Sequence, residues 1–323
     1  MAVMAYAESS KEPLMASVVE GLSWWKEGPI YQIYPRSFLD TNGDGVGDIE
    51  GIQRKLDYLK DLGIRGLWLS PVYPSPLFDF GYDITNYHDI DPVFGTLKDF
   101  CALIREAEAR GIAIIMDMVL NHTSHLHPWF VESRSSRQNP KRDWYIWRDG
   151  RGGSRKRWPN NWMAAFGGHA WAWDEHTAQY YLHLFTQEQP DLNWRNPHVQ
   201  EAMFAELKFW LDLGVKGFRL DVINYLVKDA QFRNNPYRLR LTYPRRHDLQ
   251  HHQFDRNQEE TLEIVRKLRE LMDAYAGSTG ETMLVGEVYP DEGVHAPHLA
   301  ASYIGDGSKL LHMAFDFSTI YMK

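Results

Sequence analysis

Short apolar runs alternate along the chain with longer stretches in which apolar residues recur every three or four positions. This is the pattern of βα units around a parallel sheet, with strands buried on both faces and helices on one. Six runs predict strands: residues 29–35 (PIYQIYP), 64–69 (IRGLWL), 112–119 (IAIIMDMV), 215–222 (VKGFRLDV), 283–288 (MLVGEV) and 310–317 (LLHMAFDF). Four of them begin just after a glycine-bearing helix end, as in DLGIRG, ARGIA and DLGVKG, or after the loop holding Gly277 and Gly280. Glycine at such a point caps a helix and hands the chain to a strand.

Two connections are too long for simple crossovers. Residues 120–193, rich in Trp, Gly, Pro and His, predict a small inserted subdomain after the third strand. Residues 224–258, holding RNNPYRLRLTYPRRHDLQHH, predict a long loop after the fourth, its Arg and His cluster a solvated surface. Both insertions follow the C-terminal ends of strands, the face on which an α/β barrel builds its active site. The expected layout is an extension at 1–23, three strands within 24–119, the subdomain, and three more strands within 194–323.

Composition narrows the class. The 323 residues suit one α/β barrel of roughly 250 residues plus insertions. Hydrophobic residues at 44% and charged residues at 24% exclude disorder and coiled coil. With 35 basic against 43 acidic residues the net charge is -8, and no basic run follows a phosphate backbone, so nucleic acid is not the expected partner. The single cysteine, Cys101, excludes an internal disulfide framework; it falls in a helical stretch and is expected to pack as a small core thiol. Residues 1–23 lack a basic start followed by an apolar core, and nowhere do 18 apolar residues run together, so a cytoplasmic protein without a membrane span is expected. Aromatic residues reach 14%, and flat rings in a cleft suit the faces of sugars.

Several strand runs end in ionisable residues: Asp117 in the third, Arg219 and Asp221 in the fourth, Glu287 in the fifth. Side chains two apart on a strand share a face, so Arg219 and Asp221 point the same way. Gathering such charges at one rim is costly unless they are paired, which argues for a purpose. Two carboxylates about 5 to 5.5 Å apart are what a retaining glycosidase needs, one as nucleophile and one as acid/base.

The motifs DMVLNHTS (117–124), GFRLDVIN (217–224) and GEVYP (286–290) resemble the first three sequence regions of the α-amylase superfamily of glycoside hydrolases, family 13. QPDLNW (189–194), the opening GPIYQIYPRSFLDTNGDGVGDIEGI (28–52), FGYDITNY (80–87) and the segment from PNNW to FGGHAW (159–171) resemble its α-glucosidase and oligo-1,6-glucosidase branch. The resemblance implies a TIM-type (β/α)8 barrel, and Asp221 as the nucleophile forming a β-glucosyl intermediate, with Glu287 as the acid. It implies that Arg219 orients and ionises Asp221, that His122 binds a 6-hydroxyl, that Asp83 grips the terminal hydroxyls, that Tyr82 stacks under the sugar and that Phe166 walls the entrance. An Asp at position 83 would close the pocket at a non-reducing end and favour exo-action. Asn121 would support the pocket. An opposite charge beside Asp221 predicts a lowered pKa, and nearby carboxylates predict a raised one for Glu287.

In DTNGDGVGD, the oxygen-bearing Asp40, Asn42, Asp44 and Asp48 alternate with glycines, with the Val46 carbonyl completing a calcium-type loop. The branch holds structural Ca²⁺ or Mg²⁺ in such a loop. The resemblance also implies eight strands and a following β domain, whereas the chain ends after the sixth run, with no His-Asp motif beyond Glu287. The expectation is the N-terminal portion of a longer enzyme, or a truncated product, with little turnover. The expected activity is a retaining α-glucosidase on short α-glucosides, hydrolytic or transferring. Oligo-1,6-glucosidase, sucrose isomerase, trehalose synthase and a non-catalytic amylase-like scaffold are the alternatives. Val222, after the nucleophile, is the position that the resemblance links to linkage preference.

Overall fold

A computed structural model describes residues 23–317 apart from 154, 156, 240–245 and 291–295. The predicted extension lies outside these residues except for Ser23, and so does part of the 224–258 loop. In chain order the elements are α1 (Trp24–Glu27), β1 (Ile30–Ile33), α2 (Ile49–Arg54), α3 (Leu56–Asp61), β2 (Gly66–Leu69), α4 (Leu97–Glu108) and β3 (Ala113–Val119). Then come α5 (Pro128–Ser135), β4 (Trp147–Arg148), β5 (Trp171–Asp174), β6 (Gln179–Leu182), α6 (Pro197–Asp212) and β7 (Gly217–Asp221). The last are α7 (Glu260–Thr279), β8 (Met283–Gly286), α8 (Ala296–Ile304) and β9 (Met313–Ala314).

All six predicted strands form, and they make one parallel sheet in the order β1-β2-β3-β7-β8-β9. The handover glycines behave as their positions require: Gly63, Gly111 and Gly214 have φ of 83°, 73° and 105°, a region closed to most side chains. The α4 helix starts with a reciprocal cap. Thr96 Oγ1 accepts from Asp99 N, and the Asp99 carboxylate accepts from Thr96 N and Oγ1.

The sheet curls. In a flat sheet β2 and β9 would lie about 19 Å apart, four strand spacings of roughly 4.8 Å. Yet the Trp68 ring of β2 meets Phe315, one residue past β9, at 5.5 Å. Trp24, Trp25, Ile30, Ile115, Met283 and Met313 join these rings in one apolar cluster, so first and last strands share an interior. The result is six strands of a (β/α)8 barrel with helices packed outside, β1 and β9 pairing on one side only among the described residues.

Residues 120–193 contain a separate antiparallel sheet, ordered β4-β6-β5. Its rings, including Trp162, Trp171 and Phe185, pack with Val222 and Tyr225 just past β7. The subdomain thereby sits over the C-terminal strand ends. No helix among the described residues is long and apolar enough to cross a membrane.

Candidate active site

Strand register brings the predicted charges together. Asp117 on β3 lies beside Arg219 on β7, and Val119 beside Asp221. The alternating pleat then points Asp117, Arg219 and Asp221 inward, with Asp221 two residues further along its strand. Arg219 Nη1 lies 2.7 Å from both Asp117 Oδ1 and Asp221 Oδ1, while Nη2 lies 2.8 Å from Glu287 Oε2. One guanidinium therefore holds three carboxylates, the fork geometry for which arginine is suited. Trp68 Nε1 and Tyr82 Oη both donate to Asp117 Oδ2 at 3.1 Å.

Burial raises the pKa of Asp221 well above the usual carboxylate range; Arg219 opposes it, and the charges of Glu287 and Asp117 add to it. Asp117 is raised as well, by burial against the pull of Arg219. The expectation that Arg219 lowers the Asp221 pKa is thus corrected, because desolvation and two further carboxylates outweigh one cation. Burial works against the charge on Arg219, but its three acidic neighbours hold it well above its ordinary value.

Just past β7 the backbone bends at Val222, whose φ of 36° is strained for a β-branched residue. The bend turns the Val222 N–H onto Glu287 Oε2 at 3.1 Å.

The carboxylates open into a cavity of about 360 Å³ that Tyr82, His122, Phe166, Arg219, Asp221 and Glu287 all line. Phe166 stands at its rim, 60% exposed, edge-on to Phe185. His122 is buried between amides, its Nδ1 3.1 Å from Asn121 Nδ2 and its Nε2 3.0 Å from Gln189 Nε2. Burial and the nearby Lys228 charge push its pKa down to about 3, so the ring is neutral. Asn121 Oδ1 accepts from the buried Lys228 ammonium at 2.8 Å, and Lys228 pairs with Asp191 at 2.7 Å. This buried pair anchors the subdomain to the barrel behind the histidine.

Asp83 does not line the cavity. It is fully buried, and its oxygens accept from Ser75 Oγ at 2.9 Å and from the N–H groups of Phe78 and Asp79 at 3.1 Å. The carboxylate that does face the cavity is Asp79, held by Gln189 Nε2 at 2.9 Å. Burial raises its pKa, the Gln189 hydrogen bond opposes that, and the Asp83 charge adds to it. Both aspartates belong to the segment DFGYD, where no periodicity tells an inward from an outward carboxylate.

The solvated-surface expectation for the 224–258 loop holds for Arg233, Arg246 and His251, which are exposed, but not for His247 and His252. His247 and Asp248 line the cavity, together with Tyr289. The His247 ring packs at a tilt against buried His252, centroids 4.0 Å apart, and His252 Nδ1 lies 2.7 Å from Asp255 Oδ2. Burial, with a contribution from His252, pushes His247 down to about 4.

The 40–48 loop lies apart from this cavity. Asp40 Oδ1 and Oδ2 accept from the N–H groups of Gly43 and Gly45, and Asp44 Oδ1 accepts from Val46 N. Asp48 turns away to cap α2, accepting from Gly51 N at 2.7 Å and from Thr41. Gly43 and Gly45, with φ of 82° and 89°, give the loop its curl. Among the described residues no group of three or more His, Cys, Asp or Glu side chains gathers as a metal set. The donors of Asp40, Asn42 and Asp44 and the Val46 carbonyl still fit a hard, oxygen-seeking cation, whereas Asp48 is committed to its helix.

A profile of the α-amylase catalytic-domain family matches residues 32–323. The chain is 48% identical over 301 residues to a probable α-glucosidase of Rhizobium meliloti (strain 1021), covering 91% of this chain and 53% of that protein. It is 58% identical over 205 residues to an oligo-1,6-glucosidase of Parageobacillus thermoglucosidasius, covering 64% of this chain and 36% of that one. Among solved structures, the α-glucosyl transfer enzyme XgtA superposes with a TM-score of 0.84 at 46% identity, covering 91% of this chain and 54% of that one. The chain thus spans about half the length of the relatives that it matches along most of its own length. Its curled parallel sheet, its strand-end carboxylates and these matches place the chain in the α-amylase catalytic-domain family of glycoside hydrolases.

Proposed function

We propose that the protein is a retaining α-glucosidase that takes glucose from the non-reducing end of short α-glucosides, passing it to water or to another sugar. The observation that carries this is the common seat of Asp221 and Glu287 on Arg219. Two carboxylates resting on the two ends of one guanidinium fit the closer spacing that double displacement uses. In the first step Glu287 donates its proton to the glycosidic oxygen as the C1–O bond breaks, and Asp221 bonds to C1 from the opposite face. In the second step Glu287 takes a proton from water, whose oxygen displaces Asp221. A buried set of three carboxylates around one cation favours keeping one proton within the set, which raised Asp221 and Asp117 hold in the free site and which the mechanism needs on Glu287 once a sugar is bound.

Asp79 takes the role expected of Asp83, gripping terminal hydroxyls where Gln189 presents it, and neutral His122 reaches the 6-hydroxyl. Tyr82 forms the floor and Phe166 the outer wall. Oligo-1,6-glucosidase is the second reading, because Val222 lines the cavity at the position tied by resemblance to linkage preference. The 40–48 loop is proposed to hold Ca²⁺ or Mg²⁺ for structure only, and the enzyme to work on soluble oligosaccharides in the cytoplasm.

The test is mass spectrometry after incubation with 5-fluoro-α-glucosyl fluoride, a substrate whose covalent intermediate hydrolyses slowly. An adduct on the peptide bearing Asp221, absent in D221N, is the expected result. An adduct on Glu287, or none at any concentration, would sink the proposal. Glucose release from maltose against isomaltose then separates the two linkage readings.

A further inference from the structure

Glu287 follows β8 directly, so its backbone is paired only as far as the β7–β8 ladder reaches. The last regular pair is Leu220 with Gly286. Beyond it, Glu287 N donates to Leu220 O at 2.9 Å and Ile223 N donates to Glu287 O at 3.1 Å. The ladder cannot run much further, because Pro290 has no N–H to donate. The last peptide group available is that of Tyr289, and a side chain takes it.

That side chain is Asn224, which is fully buried. Its Nδ2 donates to Tyr289 O at 2.9 Å, and its Oδ1 accepts from Tyr289 N at 3.0 Å. The amide imitates a neighbouring strand, presenting one donor and one acceptor to one residue's backbone. A second bond from Nδ2 to Asn257 Oδ1 at 2.8 Å, with Asn257 N donating to Asn224 O at 2.8 Å, fixes the amide's orientation from behind. Three residues in a row thus serve the segment carrying Glu287: Val222 through its N–H on the carboxylate, Ile223 through its N–H on the backbone, and Asn224 through its side chain.

We propose that Asn224 is a positioning residue that holds the acid Glu287 against Asp221 by gripping the backbone of Tyr289. The proposal rests on the α-glucosidase reading for the role of Glu287. Asparagine is the residue that fits. Aspartate keeps the acceptor for Tyr289 N but loses both donors, and leucine, of similar volume, loses all three bonds.

The consequence is a defect in proton donation. A sugar leaving group departs with the acid's proton, whereas fluoride departs from α-glucosyl fluoride with far less help. N224A is therefore expected to lower kcat on maltose on the order of 100-fold, the scale of a displaced catalytic group. KM should change little, and turnover of α-glucosyl fluoride should fall only a few-fold. N224D should lie between N224A and the unsubstituted protein. Equal losses on both substrates, or no loss, would overturn the proposal. Should the unsubstituted protein turn over neither substrate, an outcome that the expected low turnover of six strands allows, a crystal structure of N224A decides the proposal. There, displacement of Glu287 Oε2 from Val222 N and from Arg219 Nη2 is expected, and an unmoved carboxylate would overturn it.

Discussion

Asp79 and Asp83 stand four residues apart in one short segment and do opposite work. Asp83 spends three hydrogen bonds holding the segment's shape, while Asp79 has one partner and an open side towards the cavity. Replacing Asp83 by Ala strands buried donors, each costing about 1–3 kcal/mol. D83A is expected to lower the melting temperature measurably, whereas D79N should melt like the unsubstituted protein while losing on the order of 100-fold in kcat/KM, since bonds to a charged group contribute about 1.5–3 kcal/mol each. Thermal melts beside maltose kinetics check this, and the reverse pattern would restore Asp83 to the binding role. The difference was not legible in the sequence, because a residue in a loop has no period to say where it points. Asp117, Arg219, Asp221 and Glu287 were legible because they end strands, where alternation decides direction. The raised pKa of Asp221 was not legible, because the sequence shows the charges gathered at the rim but not how deeply each is buried.

Elements were legible where burial on both faces left a continuous apolar run, and all six barrel strands appear at the predicted places. Their ends were not. The run at 310–317 shrinks to Met313–Ala314, because β8 offers only Val285 and Gly286 as partners there. Glycine explains part of that closeness: a Cβ on Gly286 would stand 2.3 Å from Leu311 Cδ1. The 40–48 loop is the element on which a cation can be tested. If it binds Ca²⁺, millimolar calcium should raise the melting temperature and EDTA should lower it, with both effects lost in D44A. D48A should instead cost about 1 kcal/mol with or without calcium, as the loss of a helix cap does. A melting temperature indifferent to calcium and EDTA would dismiss the cation.

At the scale of the molecule, stability has its own pH dependence away from the cavity. Glu206 on α6 is buried, its Oε2 2.6 Å from His88 Nε2, and burial raises its pKa to about 7. Burial also lowers the pKa of His88. Because the folded value of Glu206 lies above the unfolded one near 4.5, this group's contribution is complete below about pH 4.5 and is lost as pH rises towards 7. The loss is at most about 3 kcal/mol and smaller after solvent screening. Melting curves from pH 5 to 8 should show the unsubstituted protein falling relative to E206Q, and parallel curves would refute the assignment. The cavity is itself a product of the whole chain, assembled from strand ends, the 120–193 subdomain and the 224–258 loop. Motifs disclosed the first two contributors, but the path of the loop that delivers His247 and Asp248 follows from tertiary packing alone.

Val222 belongs to two worlds at once. It lines the cavity, and its own amide proton sits on Glu287. If the proposed α-glucosidase chooses its linkage at this valine, an exchange there also resets the twist that aims that amide. Selectivity and proton delivery are therefore welded together at a single position, and tuning one will detune the other.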